Sequence, residues 1–256
     1  MPAITGRRVR LPLSRRWIAD LMHACRAIPL VTVERRMDLS ATVAARDRVS
    51  DPPAWAALFV KAYAVVAART PTLRQAYLRF PWPHLFEADE SVASVAVARQ
   101  YEGEPAVFFG HFRAPERKPL SHLTGQVREW KTRPVEEVRS FARLIRYSRY
   151  PRPVRRLVWW LAMNLSGRHR AKTFGTFALS AVGSAGAGLL NVIAPTATAI
   201  GYGPFAEDGT VDVRLTFDHR VLDGLTAAAA LADLEGVLRG EMVRELTAPA
   251  VGVEAA

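Results

Sequence analysis

Cys25 is the only thiol in 256 residues. No disulfide can close within the chain, and no cysteine-rich zinc site is possible. No residue pattern around Cys25 would activate a thiolate, so it is expected to be a small buried residue. Runs of 18 or more apolar residues are missing, which leaves no membrane-spanning segment legible in the sequence. The N-terminal stretch MPAITGRRVRLPLSRRW is basic but lacks the apolar segment of a signal peptide. There is no Gly-x-Ser-x-Gly elbow and no metal-binding pair of histidines. GSAGAGL (183–189) lacks the full Gly-x-Gly-x-x-Gly spacing and the downstream acid of a dinucleotide loop. These absences point to a cytoplasmic protein with no metal.

Half of the residues are hydrophobic and 23% are charged, which suits a globular domain with a sizeable core. The formal net charge is +11. Such a surface attracts nucleic acid, anionic lipid or a phosphorylated cofactor, although solvated arginine faces would give the same balance. No nucleic-acid motif accompanies the charge, so RNA and DNA are not expected partners.

Residues 14 to 27 are predicted to be a helix capped by Ser14, with Trp17, Leu21, Met22 and Cys25 on one face. VTVERRMDLSA reads as a strand, and residues 53 to 69 as a helix started by Pro53. Residues 91 to 114 read as two strands around a Glu-Gly turn. Helices are predicted at 119–132 and over 134–165, the latter broken by Pro151 and Pro153. GTFALSAVG reads as a strand. TATAIGYGPF and TVDVRLTFDHR form a hairpin across Glu207-Asp208-Gly209, and a helix follows from about Gly224 to Leu246. Consecutive strands at hairpin spacing favour an α/β (α+β) fold, its mixed, mostly antiparallel sheet flanked by helices, over a doubly wound parallel sheet. The chain divides into a loose arm (1–10), one domain (11–246) and a loose tail (247–256).

FDHRVLDG (217–224) carries the chemistry. A hydrophobic strand ends in Asp218, His219, Arg220, Asp223 and Gly224, and an alanine-rich helix begins. The strand would fix the imidazole while the loop leaves it reachable. A neutral imidazole titrates near working pH and suits general-base removal of a proton from a thiol or alcohol. Gly224 would allow a tight turn. The other histidines (23, 84, 111, 122 and 169) are scattered and read as structural or surface residues.

FDHRVLDG resembles the signature of the catalytic domain of dihydrolipoamide acyltransferases, the core subunits of 2-oxoacid dehydrogenase complexes, whose fold is similar to chloramphenicol acetyltransferase. LPLSRRWIADLMHACRAIPLVTVERRMDLSATVAAR, FVKAYAVVAARTPTLR and GTFALSAVGSAGAGLLNVIAPTATAIGYG extend the likeness over about Leu11 to Leu246. The resemblance implies an acyltransferase using coenzyme A, or another thiol carrier, as acyl substrate. His219 would be the base, Ser180 the hydroxyl donor to the tetrahedral oxyanion, and Asp223 a structural residue paired with Arg15 or alternatively Arg16. Asp218 and Arg220 are read as positioning groups. It also implies a homotrimer, with His219 and Ser180 supplied to each site by neighbouring chains.

Three departures from the family stand out. No lipoyl or peripheral-subunit-binding domain is expected ahead of the match, so no lipoyl group is expected on this chain. EGEPAVFFGHFRAP replaces the Gly-Leu-x-x-Pro turn, in the region that lines the family's acceptor channel. The segment from Arg139 to Lys172 has no Asp or Glu and interleaves arginine with Tyr147, Tyr150, Trp159 and Trp160. It could cradle the phosphates of coenzyme A, lie on an anionic membrane, or pack a Trp/Leu face inward with its arginines solvated. A non-catalytic trimeric scaffold, an acyl carrier partner, and an acyltransferase with an alcohol or amine acceptor near a membrane stay open.

Overall fold

A computed structural model describes residues 5–248. Its elements are α1 (Leu13–Cys25), β1 (Leu30–Asp38), α2 (Ser40–Asp47), α3 (Trp55–Arg69), β2 (Gln75–Leu78), β3 (His84–Glu87), β4 (Val92–Tyr101), β5 (Glu104–Arg113), α4 (Leu120–Thr132), α5 (Arg139–Ser148), α6 (Arg152–Asn164), α7 (Gly167–Phe174), β6 (Phe177–Leu179), β7 (Thr198–Tyr202), β8 (Thr210–Asp218), α8 (Gly224–Val237) and α9 (Val243–Thr247). A π turn over Leu238–Met242 joins the last two helices. Six strands form one sheet in the order β1-β8-β7-β6-β4-β5, and β2 pairs with β3 separately. Among the described residues only the β4·β6 and β6·β7 pairings are parallel. The sheet is therefore mixed and mostly antiparallel, with helices against it.

Alternation along the strands separates the two faces. Val95, Val97, Phe108, Phe112, Phe177, Ile200, Leu215 and Phe217 enter the main core, where α3 and α8 pack. The opposite face carries Ser94, His111, Ala178 and Thr216. The edge strand β5 is partly closed by α1: the Trp17 indole N–H donates to the Val107 carbonyl at 2.9 Å. Gly110 sits mid-strand because a Cβ there would lie 2.4 Å from the Trp130 ring. Both predicted hairpin turns form. Glu102 and Gly103 take positive φ between β4 and β5, and Gly209 does so before β8.

Several local expectations are corrected. Helix α1 begins at Leu13 after Pro12, and Ser14 is buried inside it with its hydroxyl unbonded, so it is not the cap. Met22 is exposed. The β1 strand ends at Asp38, and the following SATVAARD is helical. Pro153 does not break a helix: it lies in the first turn of α6, where a missing N–H costs nothing. Helix α7 and the β2–β3 hairpin were not foreseen. Residues 5–10 have no regular structure and are exposed. Of the expected tail, Thr247 belongs to α9, while 249–256, like 1–4, lie outside the described residues.

The 139–172 segment does not sort into an apolar inside and a basic outside. Arg155 and Arg170 point inward, whereas Leu157, Trp160 and Leu165 are exposed. No helix of the described residues is long and apolar enough to cross a membrane.

Candidate active site

His219 follows the last residue of β8, and its ring is exposed on the single chain. Its backbone N–H donates to the Pro29 carbonyl at 3.0 Å. Its Nδ1 lies 3.0 Å from the Leu222 carbonyl oxygen. A carbonyl can only accept, so the neutral ring carries its proton on Nδ1 and leaves the Nε2 lone pair free. The ring also stands edge-on to Phe217, with centroids 5.5 Å apart. One contact thus sets both the tautomer and the ring's direction.

The loop is held by buried acid. Asp218 is fully buried. Its carboxylate accepts the Arg220 backbone N–H at 3.0 Å and a bidentate pair from the Arg220 guanidinium at 2.9 and 2.7 Å. The Arg220 guanidinium in turn lies over the Tyr77 ring, 4.2 Å from its centroid. Beneath them Arg170 is buried and donates to the carbonyls of Tyr77 and Pro195. Burial pulls its pKa down to about 10, while the Asp218 carboxylate acts in the opposite direction. Asp218 and Arg220 are legible in the sequence beside His219, whereas Arg170 is not. Its only signal was another arginine in a basic run.

Asp223 is the N-cap of α8 and accepts the Thr226 backbone N–H at 2.7 Å. That bond holds its carboxyl below the usual range. The expected pair with Arg15 or Arg16 is not formed within the chain: Arg15 is exposed on α1, and Asp223 is engaged by its own helix. Gly224 opens α8 with ordinary φ, and nothing lies within 4 Å of where its Cβ would stand. The turn does not depend on glycine there.

Ser180 follows β6, its backbone N–H bonded to the Ile200 carbonyl at 3.0 Å. It opens into a cavity of about 480 Å³ between the open sheet face and α1, α5, α6 and α7. Asn191 roofs one side, its Oδ1 accepting from Thr32 and Thr216 at 3.1 Å each. Asn191 escaped the sequence reading because it sits in an irregular segment. Cys25 is buried and pushed up to about 12 by burial, so it offers no thiolate.

Ser180 and His219 do not meet within one chain. The β6–β7–β8 register places Ser180 level with Arg214, two strands away and five residues short of His219. At ordinary strand spacing and rise that is roughly 19 Å. Exposed apolar side chains lie in the segments that follow each group: Leu225 opens α8 just after the His219 loop, and Leu190 and Ile193 lie in the segment after Ser180, Ile193 sharing its cavity.

The sheet order and its flanking helices decide the architecture. The chain has the chloramphenicol acetyltransferase-like fold. A probable dihydrolipoamide acetyltransferase from Listeria monocytogenes 4b F2365 superposes with a TM-score of 0.65 at 18% identity, over 96% of this chain and 98% of that one. The dihydrolipoamide acetyltransferase of Azotobacter vinelandii gives 0.66 at 18%, over 97% and 100%. The crystal study of that enzyme concerned a serine, a histidine and an asparagine in its catalytic mechanism. Chloramphenicol acetyltransferase itself gives 0.51 at 12%, over 86% and 94%. No protein-family model matches the sequence, and a search of curated proteins finds no match. Within this fold the 139–172 segment supplies α5, α6 and α7, the outer wall of the cavity beside Ser180.

Proposed function

We propose that the protein is a cytoplasmic acyltransferase moving an acyl group between coenzyme A, or another thiol carrier, and an acceptor, in a homo-oligomer, most simply a trimer. The observation that carries this reading is the free Nε2 lone pair of His219, set by the Nδ1–Leu222 contact on a loop pinned by buried Asp218. The Azotobacter enzyme supports it: its studied histidine and asparagine are four residues apart, as His219 and Asp223 are here.

In the proposed step, Nε2 takes the proton of the nucleophile, whose lone pair attacks the thioester carbonyl carbon. The carbonyl π electrons pass to oxygen, and the Ser180 hydroxyl of a neighbouring chain donates to that oxyanion. Collapse re-forms the carbonyl and breaks the carbon–sulfur bond. The leaving thiolate recovers the proton from Nε2, so the enzyme is unchanged.

The separation of Ser180 from His219 supports a shared site. A surface at Leu190 and Ile193 that meets a different surface at Leu225 makes a heterologous contact, and a threefold rotation would close such contacts into a ring. The test is thiol release from a panel of acyl-coenzyme A thioesters, with coenzyme A exchange as a second readout. Burial of Cys25 keeps the protein's own thiol silent. Thiol release or exchange lost in His219→Ala is expected; absence of both in the native protein across the panel overturns the reading.

A further inference from the structure

The cavity beside Ser180 is larger than a short acyl group needs. At about 480 Å³ it lies within the ordinary range for small-molecule sites, roughly 300–1,000 Å³. Its walls are largely aromatic and aliphatic, with Trp17, Phe109 and Trp159 among them. Trp159 is fixed by stacking on Phe174 at 4.8 Å between centroids. Flat, rigid walls of this kind favour a ring-bearing ligand.

One end of the cavity is polar and positive. Ser94 and His111 are cross-strand partners on β4 and β5, and Ser94 pairs in register with Ala178 on β6. His111 therefore lies two strands across and two residues along from Ser180 on the same face, roughly 12 Å away. Its Nε2 is enclosed without a hydrogen-bond partner among the described residues, and burial, with Arg143 nearby, holds the ring neutral with a pKa down to about 4. At this end the rim carries Arg143 from α5 and Lys172 from α7, both exposed and without a carboxylate partner among the described residues. The one acid in the lining, Asp20, is neutralised by Arg155 at 2.5 Å. A plain acyl tail would bring nothing to these cations. A ligand with an apolar body and a negative end satisfies both halves of the cavity.

We propose that this cavity binds the second substrate of the transfer, a small molecule with an apolar, ring-sized body and an anionic group seated by Arg143 and Lys172 at the His111 end. The proposal rests on the acyltransferase reading for the word substrate, while the site itself rests on the cavity. Two probes test it on the full-length protein: the anionic dye 1-anilinonaphthalene-8-sulfonate and the neutral N-phenyl-1-naphthylamine, of similar ring size. Both are expected to bind with enhanced fluorescence at one site per chain. Arg143→Gln with Lys172→Gln should weaken the anionic probe about tenfold or more while moving the neutral probe less than about twofold. Val158→Trp, which crowds the cavity from a half-exposed position on α6, should weaken both. His219→Ala should bind both probes as the native protein does.

Equal losses of both probes in the double variant, or unchanged binding in Val158→Trp, overturn the proposal. So does displacement of the anionic probe by adenosine 3′,5′-bisphosphate, which would mark the cations as a coenzyme A phosphate site. Probe binding as expected in a protein that transfers no acyl group would overturn the acyltransferase reading and leave the cavity's ligand class standing. The two failures are thus distinct.

Discussion

A single hydrogen bond decides what His219 can do. With its proton held on Nδ1 by the Leu222 carbonyl, only Nε2 can accept a proton from a substrate. General-base catalysis of this kind contributes about 10²- to 10⁴-fold. His219→Ala is therefore expected to lower kcat by that order while circular dichroism and thermal midpoint stay near native values, because the ring is exposed and its loop is held by Asp218. Ser180→Ala should lower kcat by about 10²- to 10³-fold with little change in KM, the pattern of a group that acts in the transition state. A change confined to KM would remove the oxyanion role. His219 and Ser180 were legible as a strand-end histidine and a serine within a family likeness. The Leu222 contact was not, since a carbonyl three residues on meets a ring only once the turn has folded. Arg170 was hidden for a related reason: burial of one arginine among many is a property of packing.

Helix α8 starts where the site ends, so its cap and the site loop are one construction. Asp223 accepts the Thr226 N–H, and this bond depresses its pKa below the usual carboxylate range. The sign follows from the depressed value: the carboxylate's contribution is present above about pH 3.9, the unfolded value, and is lost as pH falls through the lower folded value. Asp223→Asn keeps a side-chain acceptor and should retain the thermal midpoint and kcat, whereas Asp223→Ala should lower both, with stability less dependent on pH between about 2 and 5. Acid titration of the thermal midpoint checks this; an Ala variant as stable as the Asn variant would show the cap to be idle. On the far edge of the sheet, Gly110→Ala would drive a methyl to 2.4 Å from the enclosed Trp130 ring. Overpacking of this sort costs about 1–3 kcal/mol, readable as a lower urea midpoint at unchanged slope. The hairpins of β4–β5 and β7–β8 were legible because Glu-Gly and Asp-Gly turns carry their own conformational signal. The short β2, β3 and β6 strands carried too few residues for a period to show or to fix their bounds.

One chain holds the two halves of the proposed site at opposite ends of its sheet, roughly 19 Å apart by strand spacing. Neighbouring subunits would have to complete each other. Co-expressed His219→Ala and Ser180→Ala chains should therefore regain activity, because some interfaces join an intact histidine to an intact serine. Random assembly of equal amounts in a ring gives about one quarter of native activity. No recovery, with mixed oligomers confirmed by native mass spectrometry, would place both groups in one chain or remove one of them from the mechanism. The exposed Leu190, Ile193 and Leu225 are the side chains such assembly would bury. Charge substitution at Leu225 should yield monomers and abolish transfer together.

Local chemistry was enough to set the order of most elements, the mixed character of the sheet and the position of a histidine at a strand-to-helix corner, because turn residues, periodicity and the FDHRVLDG cluster act over a few neighbouring residues. Contacts between distant segments settled the rest. Asp223 capped its own helix at the surface and left Arg15 aside, Arg170 went under the site loop, and the basic 139–172 segment folded into a cavity wall. Such outcomes depend on which surfaces exclude water together. Residues far apart in the chain reach that arrangement only when the sheet brings them to one face.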